Sequence, residues 1–226
     1  QWQTQGILIT ATGTGLVNPK IMADGNGGAI IIWGDNRNNN FDDLYAQKID
    51  ASGTLLWGNG VAVCIAPNYG IFNAEMATDR NGGAVITWTD YRTPNNSADI
   101  YAQAVNASGN TLWETGGIAI CANLGSNDYA DIASDGNGGA VITWVDSRSG
   151  ELDIYAQRVN ASGIVQWNTN GNIVCAATND QASPLIMPTT FNSTVIIWGD
   201  NRNATANRYD IYPQDIRPDR RVECPL

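Results

Sequence analysis

The chain has no histidine among its 226 residues. That removes the commonest general base and the commonest transition-metal ligand, and with them any Ser-His or Cys-His nucleophilic system. Charge is scarce as well: only 15% of residues are Asp, Glu, Lys or Arg, and 22 acidic residues outnumber 12 basic ones, for a net charge of −10. With no basic stripe to neutralise phosphates, no nucleic acid is expected as a partner. No run of about 18 apolar residues occurs, so no membrane insertion is expected. Cysteine is limited to Cys64, Cys121, Cys175 and Cys224, none in a Cys-x-x-Cys pair, which argues against structural zinc. No stretch shows helical periodicity of useful length.

What the chain has in abundance is repetition. Trp2, Trp57, Trp113 and Trp167 recur at intervals of 55, 56 and 54 residues. Trp33-Gly34-Asp35-Asn36-Arg37 returns as Trp88 to Arg92, Trp144 to Arg148 and Trp198 to Arg202, always Trp-x-Asp-x-Arg. Asp43-Leu44-Tyr45-Ala46-Gln47 returns at Asp99, Asp153 and Asp210. Four copies fill residues 1–226 as one repeat domain, with units of approximately 2–56, 57–112, 113–166 and 167–226. Each unit divides into four short β segments. In the second copy these are Asn73 to Ala77, the apolar run Ala84 to Trp88, Asp99 to Val105, and a last piece from Leu112-Trp113 to Gly117–Cys121. Turns rich in Gly, Asn and Asp separate them.

Four-stranded antiparallel units of this length predict an all-β chain, a β-propeller of four blades of about 55 residues. The segment from Trp2 to Thr10 matches the last piece of a unit, whereas the fourth unit runs out after Asp210 to Ile216. The N-terminal strand is therefore expected to complete the last blade, either in the same chain or in a neighbour.

The signature Asp-Gly-Asn-Gly-Gly-Ala (Asp24 to Ala29), then Trp-x-Asp-x-Arg, then Asp-Ile-Tyr-Ala-Gln resembles the propeller-like repeats of large secreted surface proteins of bacteria and archaea. The resemblance covers all four units, and it implies a propeller fold and an extracellular address. The stretch Ser134 to Gly138 is loosely similar to the Asp-box of sialidases, but its residue order is not kept and no activity is carried over.

Several constellations are weighed on the residues. Alternation puts Trp, Asp and Arg of each Trp-x-Asp-x-Arg on one strand face. Asp35, Arg37, Asp90, Arg92, Tyr101, Asp146, Arg148, Tyr155, Asp200 and Arg202 could grip a sugar or carboxylate. Their recurrence in every copy favours a structural network instead, since four equivalent copies of a residue cannot all be one nucleophile. No cofactor is expected. Calcium is the metal that Asp24, Asp79 and Asp135 could hold, yet each loop offers one carboxylate, and a plain hairpin turn is the simpler reading. Cys64, Cys121 and Cys175 occupy one repeat position and Cys224 lies off the pattern, so a disulfide from Cys224 to a repeat cysteine is expected in an oxidising compartment. Asn95, Asn106, Asn160 and Asn203 head Asn-x-Ser/Thr sequons and are glycosylation candidates; Asn192 also heads one but begins a strand. Arg217, Arg220 and Arg221 form a basic tail on an acidic body, a docking element for another copy.

The sequence thus leads to these expectations: a secreted protein, freed of its signal peptide before Gln1, at the cell surface. It is non-enzymatic, structural or adhesive, and self-associates into a layer or filament. A lectin-like propeller with repeated glycan sites is the alternative, and a glycoside hydrolase using paired carboxylates such as Asp42 and Asp43 stands third.

Overall fold

The computed structural model describes residues 4–10, 15–38, 42–66, 70–92, 97–122, 125–189, 193–203 and 209–217. It is all β, with four antiparallel sheets in chain order. The first contains β1 (Val17–Ala23), β2 (Ala29–Asp35), β3 (Asp43–Ile49) and β4 (Val61–Cys64). The second contains β5 (Ile71–Thr78), β6 (Ala84–Asp90), β7 (Asp99–Val105) and β8 (Ile118–Cys121). The third contains β9 (Asn127–Ser134), β10 (Ala140–Asp146), β11 (Asp153–Val159) and β12 (Asn172–Cys175). The fourth has three strands among the described residues, β13 (Gln181–Pro188), β14 (Thr194–Asp200) and β15 (Asp210–Ile216). Units counted from Trp to Trp therefore straddle sheets, because Trp57 and its outer strand close the first sheet rather than open the second.

The hairpins form where turn chemistry directs. Asp24 Oδ1 accepts from the backbone of Asn26 and Gly28 at 2.8 Å each, and Asp79 and Asp135 do the same in their turns. The last glycine of each turn is required by close approach: a Cβ on Gly28, Gly83 or Gly139 would lie 2.2 Å from the carbonyl oxygen of Ile49, Val105 or Val159. Register follows, with Trp33 opposite Tyr45, Trp88 opposite Tyr101, Trp144 opposite Tyr155 and Trp198 opposite Tyr212. A buried glutamine then pins each outer segment. Gln103 Oε1 accepts from Trp113 N at 2.9 Å while its Nε2 donates to Glu114 O at 2.8 Å, and Gln47 and Gln157 repeat the arrangement.

Among the described residues the apolar core comes in three pieces, each between two successive sheets. One joins Ile30, Leu44 and Trp57 to Ile86 and Trp88, one joins Ile100 and Ile120 to Ile142 and Trp144, and one joins Ile154 and Val174 to Ile196 and Trp198. Strand β1 packs on β5, β5 on β9 and β9 on β13. Trp57 and Trp113 each donate Nε1 to the carbonyl of Ala107 or Ala161 in the next sheet, at 3.1 Å.

The expectation that the N-terminal strand completes the last blade within the same chain is not met among the described residues. Residues 4–10 form no strand, and β15 pairs with β14 alone. Thr10 Oγ1 accepts from Arg37 Nη2 at 3.1 Å, in the place where Cys64, Cys121 and Cys175 meet the arginine of the following sheet. Thr10 thus meets the first sheet as the end of an outer strand meets the sheet that follows it, and among the described residues β15 has no second partner strand: Ile211 is 70% exposed, whereas its counterparts Ile100 and Ile154 are 0%.

Gly139→Ala should destabilise the protein by about 1–3 kcal/mol, since the methyl group meets a backbone oxygen rather than a movable side chain. Urea unfolding checks this, and an unchanged midpoint would refute the close-approach explanation.

Candidate functional site

The Trp-x-Asp-x-Arg residues come together in every sheet, as a clamp. The carboxylate of Asp200 accepts from Trp198 Nε1 at 2.9 Å, from Arg202 Nε at 3.0 Å and from Arg202 Nη2 at 2.6 Å, and the Arg202 backbone N–H adds a bond of 2.9 Å. Asp35, Asp90 and Asp146 bind their Trp and Arg in the same way. Each guanidinium lies over the tyrosine ring of the next strand, 3.9 Å from the centroid for Tyr45 and Tyr101, 4.0 Å for Tyr155 and 4.3 Å for Tyr212. Among the described residues, the carboxylate, guanidinium and tyrosine ring face of each clamp are engaged with one another. These residues tie strands and neighbouring sheets together, as their recurrence in all four copies implies.

Burial pushes the carboxyls of Asp35, Asp146 and Asp200 up, but hydrogen bonds from the arginine and tryptophan hold all three below the ordinary value. Burial likewise raises the Cys64 thiol to about 12 despite the nearby Arg92. Cys64 and Cys121 are buried thiols, while Cys175 is disulfide-bonded; Cys224 lies outside the described residues.

The remaining expected residues hold local roles. In Asp24, Asp79 and Asp135 one carboxylate oxygen closes the turn, and the second oxygen of Asp24 and Asp135 pairs with Lys48 or Arg158. No group of three metal-ligating side chains occurs among the described residues. Asn106 and Asn160 turn their Oδ1 onto two backbone N–H groups each, as Asp50 does in the first copy. Asn203 donates to the Tyr212 hydroxyl at 2.9 Å. Arg217 pairs with Asp215 in an exposed contact of 3.0 Å. Asn95, Asn192, Arg220 and Arg221 lie outside the described residues. Asp43 accepts from Asn38 Nδ2 and from Ala66 N, at 2.8 and 2.7 Å, so it belongs to the scaffold.

The pocket with chemistry left over lies elsewhere. The first strands of all four sheets, β1, β5, β9 and β13, line a common pocket of about 660 Å³. Each of these strands carries a register shift and a residue in the left-handed region: Asn18 (φ 50°), Asn73 (φ 51°), Tyr129 (φ 54°) and Ser183 (φ 52°). A bulge re-aims the side chains around it, and non-glycine residues in this conformation cost roughly 1–2 kcal/mol each. Two residues further on stand Lys20, Glu75, Asp131 and Leu185, all lining the pocket. Lys20 Nζ meets Glu75 Oε1 at 2.7 Å, Asn73 Nδ2 donates to Asp128 Oδ1 at 2.8 Å, and Asp131 Oδ2 accepts from Ile186 N at 2.8 Å. These residues were missed because the repeat signature draws attention to what recurs. The signal that finds them is the opposite one: aligned copies read Lys, Glu, Asp and Leu at a single position.

No family model matches the chain, and no curated protein matches it. Solved structures do. An α-L-arabinanase of Penicillium chrysogenum complexed with arabinobiose superposes with a TM-score of 0.61 at 12% identity, over 92% of this chain and 64% of that one. An α-L-arabinofuranosidase of Fusarium graminearum in complex with an iminosugar inhibitor gives 0.57 at 9% identity, over 92% and 64%. An endo-arabinase of Bacteroides thetaiotaomicron gives 0.51 at 12% identity, over 91% and 78%. The chain thus spans 64% of the length of the first two. At such identity the likeness is one of fold.

It nonetheless corrects the expectation of a non-enzymatic structural or adhesive protein, because the proteins of this fold that it resembles are enzymes acting on carbohydrate. The exclusion of catalysis rested on the equivalence of the recurring residues and on the lack of histidine. The pocket residues are not equivalent, and a carboxylate pair needs no histidine.

Two outcomes test the clamp. Arg148→Ala, which strips a buried carboxylate of its cation, should lower the unfolding free energy by about 1–3 kcal/mol in urea titration. The depressed carboxyls contribute stability that is fully present above the unfolded value near 3.9 and is lost as pH falls through their lower folded values. The urea midpoint should therefore hold from pH 7 to about 5 as far as these groups are concerned and drop below about pH 4; a drop already complete at pH 5 would contradict the assignment.

Proposed function

We propose that the four sheets are blades around a central pocket and that the chain is a carbohydrate-active enzyme of the glycoside hydrolase class. The observation that carries this is the divergence of one repeat position, Lys20, Glu75, Asp131 and Leu185, where a symmetric scaffold faces a single pocket. Two of the four are carboxylates from neighbouring sheets. Glycosidic hydrolysis needs such a pair, one protonating the leaving oxygen and the other activating water or attacking the anomeric carbon. Lys20 holds Glu75 in place, and backbone N–H groups from Ile132 and Ile186 hold Asp131. Asn18, Asn73, Tyr129 and Ser183 offer hydrogen-bonding groups for sugar hydroxyls around the mouth.

The arabinanase and arabinofuranosidase matches make α-L-arabinosides the first substrates to test. An extracellular address accords with a polymeric glycan substrate and with the disulfide at Cys175.

Wild-type protein should release sugar from an aryl α-L-arabinofuranoside or a debranched arabinan, read by chromophore release and reducing-sugar assay. Glu75→Gln and Asp131→Asn should each lower kcat by about 10²–10⁴-fold with Tm unchanged. Absence of turnover across a broad glycoside panel, or wild-type turnover in both variants, would overturn the proposal.

A further inference from the structure

The turns between first and second strands gather at the end of the sheets opposite the bulges. At the first junction the space between them is filled. Lys48, itself buried, pairs with Asp24 at 3.2 Å and donates to Gly82 O across the junction at 2.6 Å. At the second, the turns lie against each other, so that a Cβ on Gly138 would stand 3.7 Å from Asn81 Nδ2. The third junction differs. Arg158 takes the place of Lys48 in the register, but its Nε and Nη2 stay on Asp135 of the same sheet, at 3.1 and 2.9 Å. The fourth turn has Thr189 in place of the aspartate; its N donates to Ser193 O at 2.8 Å, and the Thr189 and Ser193 hydroxyls are 2.7 Å apart. A pocket of about 630 Å³ is left, within the range that holds small molecules.

Its lining includes Arg80, Ser134, Asp135, Arg158, Trp167 and Thr194. Two features mark it as more than a packing gap. Arg80 has φ 63°, at the position where the sister turns carry Gly25 (φ 80°) and Gly136 (φ 82°). An arginine therefore occupies a conformation that suits glycine, and no carboxylate pairs with it among the described residues. Thr194 is 3% exposed, and its Oγ1 has no hydrogen-bond partner among the described residues. In a chain of net charge −10, two guanidiniums here face one lining carboxylate.

We infer that this pocket is a second, non-catalytic glycan site that takes a short acidic oligosaccharide. A uronate carboxylate matches the planar fork of Arg80. The indole of Trp167 offers an apolar wall for a sugar ring, and the hydroxyls of Ser134 and Thr194 offer partners for its hydroxyls. The site lies at the far end of the first strands from Glu75 and Asp131, so occupancy does not block the central pocket.

Calorimetric titration of the whole chain with a trigalacturonate and with a neutral arabinotriose tests this. Trigalacturonate should bind. Arg80→Gly should weaken it at least tenfold without lowering Tm, since glycine is what the sister turns carry. Glu75→Gln should leave it unchanged, which separates this site from the central one. Arg80→Lys, which keeps the charge but not the fork, should also weaken binding. No binding of trigalacturonate at millimolar concentration, equal binding of arabinotriose at this site, or full affinity in Arg80→Gly would each overturn the inference.

Discussion

A buried aspartate in each sheet gathers what would otherwise be separate strands. Its carboxylate takes the indole N–H of the tryptophan two residues before it, the guanidinium of the arginine two residues after, and that arginine's backbone N–H. The arginine then lies on the tyrosine of the next strand and reaches the residue that ends the preceding outer segment, Thr10, Cys64, Cys121 or Cys175. A buried ion pair adds little net stability once desolvation is counted. What it supplies here is geometry, because few arrangements satisfy that many donors on one carboxylate. The recurrence of Trp-x-Asp-x-Arg is the sequence trace of that requirement.

The scaffold was legible for this reason. Period, alternation and turn chemistry located the strands: Asp99 to Val105 is a strand over those residues, and the run Ala84 to Trp88 extends by two residues to Asp90. The exchange of Asp50 for Asn106 and Asn160 pointed to turn geometry, and all three carry the same pair of backbone bonds. The candidate site was not legible. Asn18, Asn73, Tyr129 and Ser183 adopt a left-handed conformation that no propensity rule assigns to Tyr or Ser, since neighbouring strands impose it. The contact of Thr10 with Arg37 was equally hidden, because it joins residues far apart in sequence.

Repetition and the proposed site therefore occupy different positions of the same unit. Residues that hold a sheet together must be alike in each copy. A pocket lined by all four sheets is asymmetric only if the copies differ there, as Lys20, Glu75, Asp131 and Leu185 do. The third junction obeys the same logic, with a departure from the shared turn opening space that the other copies close.

Among the described residues the core is divided into three bodies, each shared by two neighbouring sheets. Cohesion in such a molecule passes from neighbour to neighbour, like coupling along a row of spins. Among the described residues, the second and third sheets share core with a sheet on each side, and the first and fourth with one. Local opening then starts at the two ends of the row, and the slowest amide exchange belongs to β6 and β10, in the middle. Glu75 and Asp131 stand on the two sheets that such fraying reaches last.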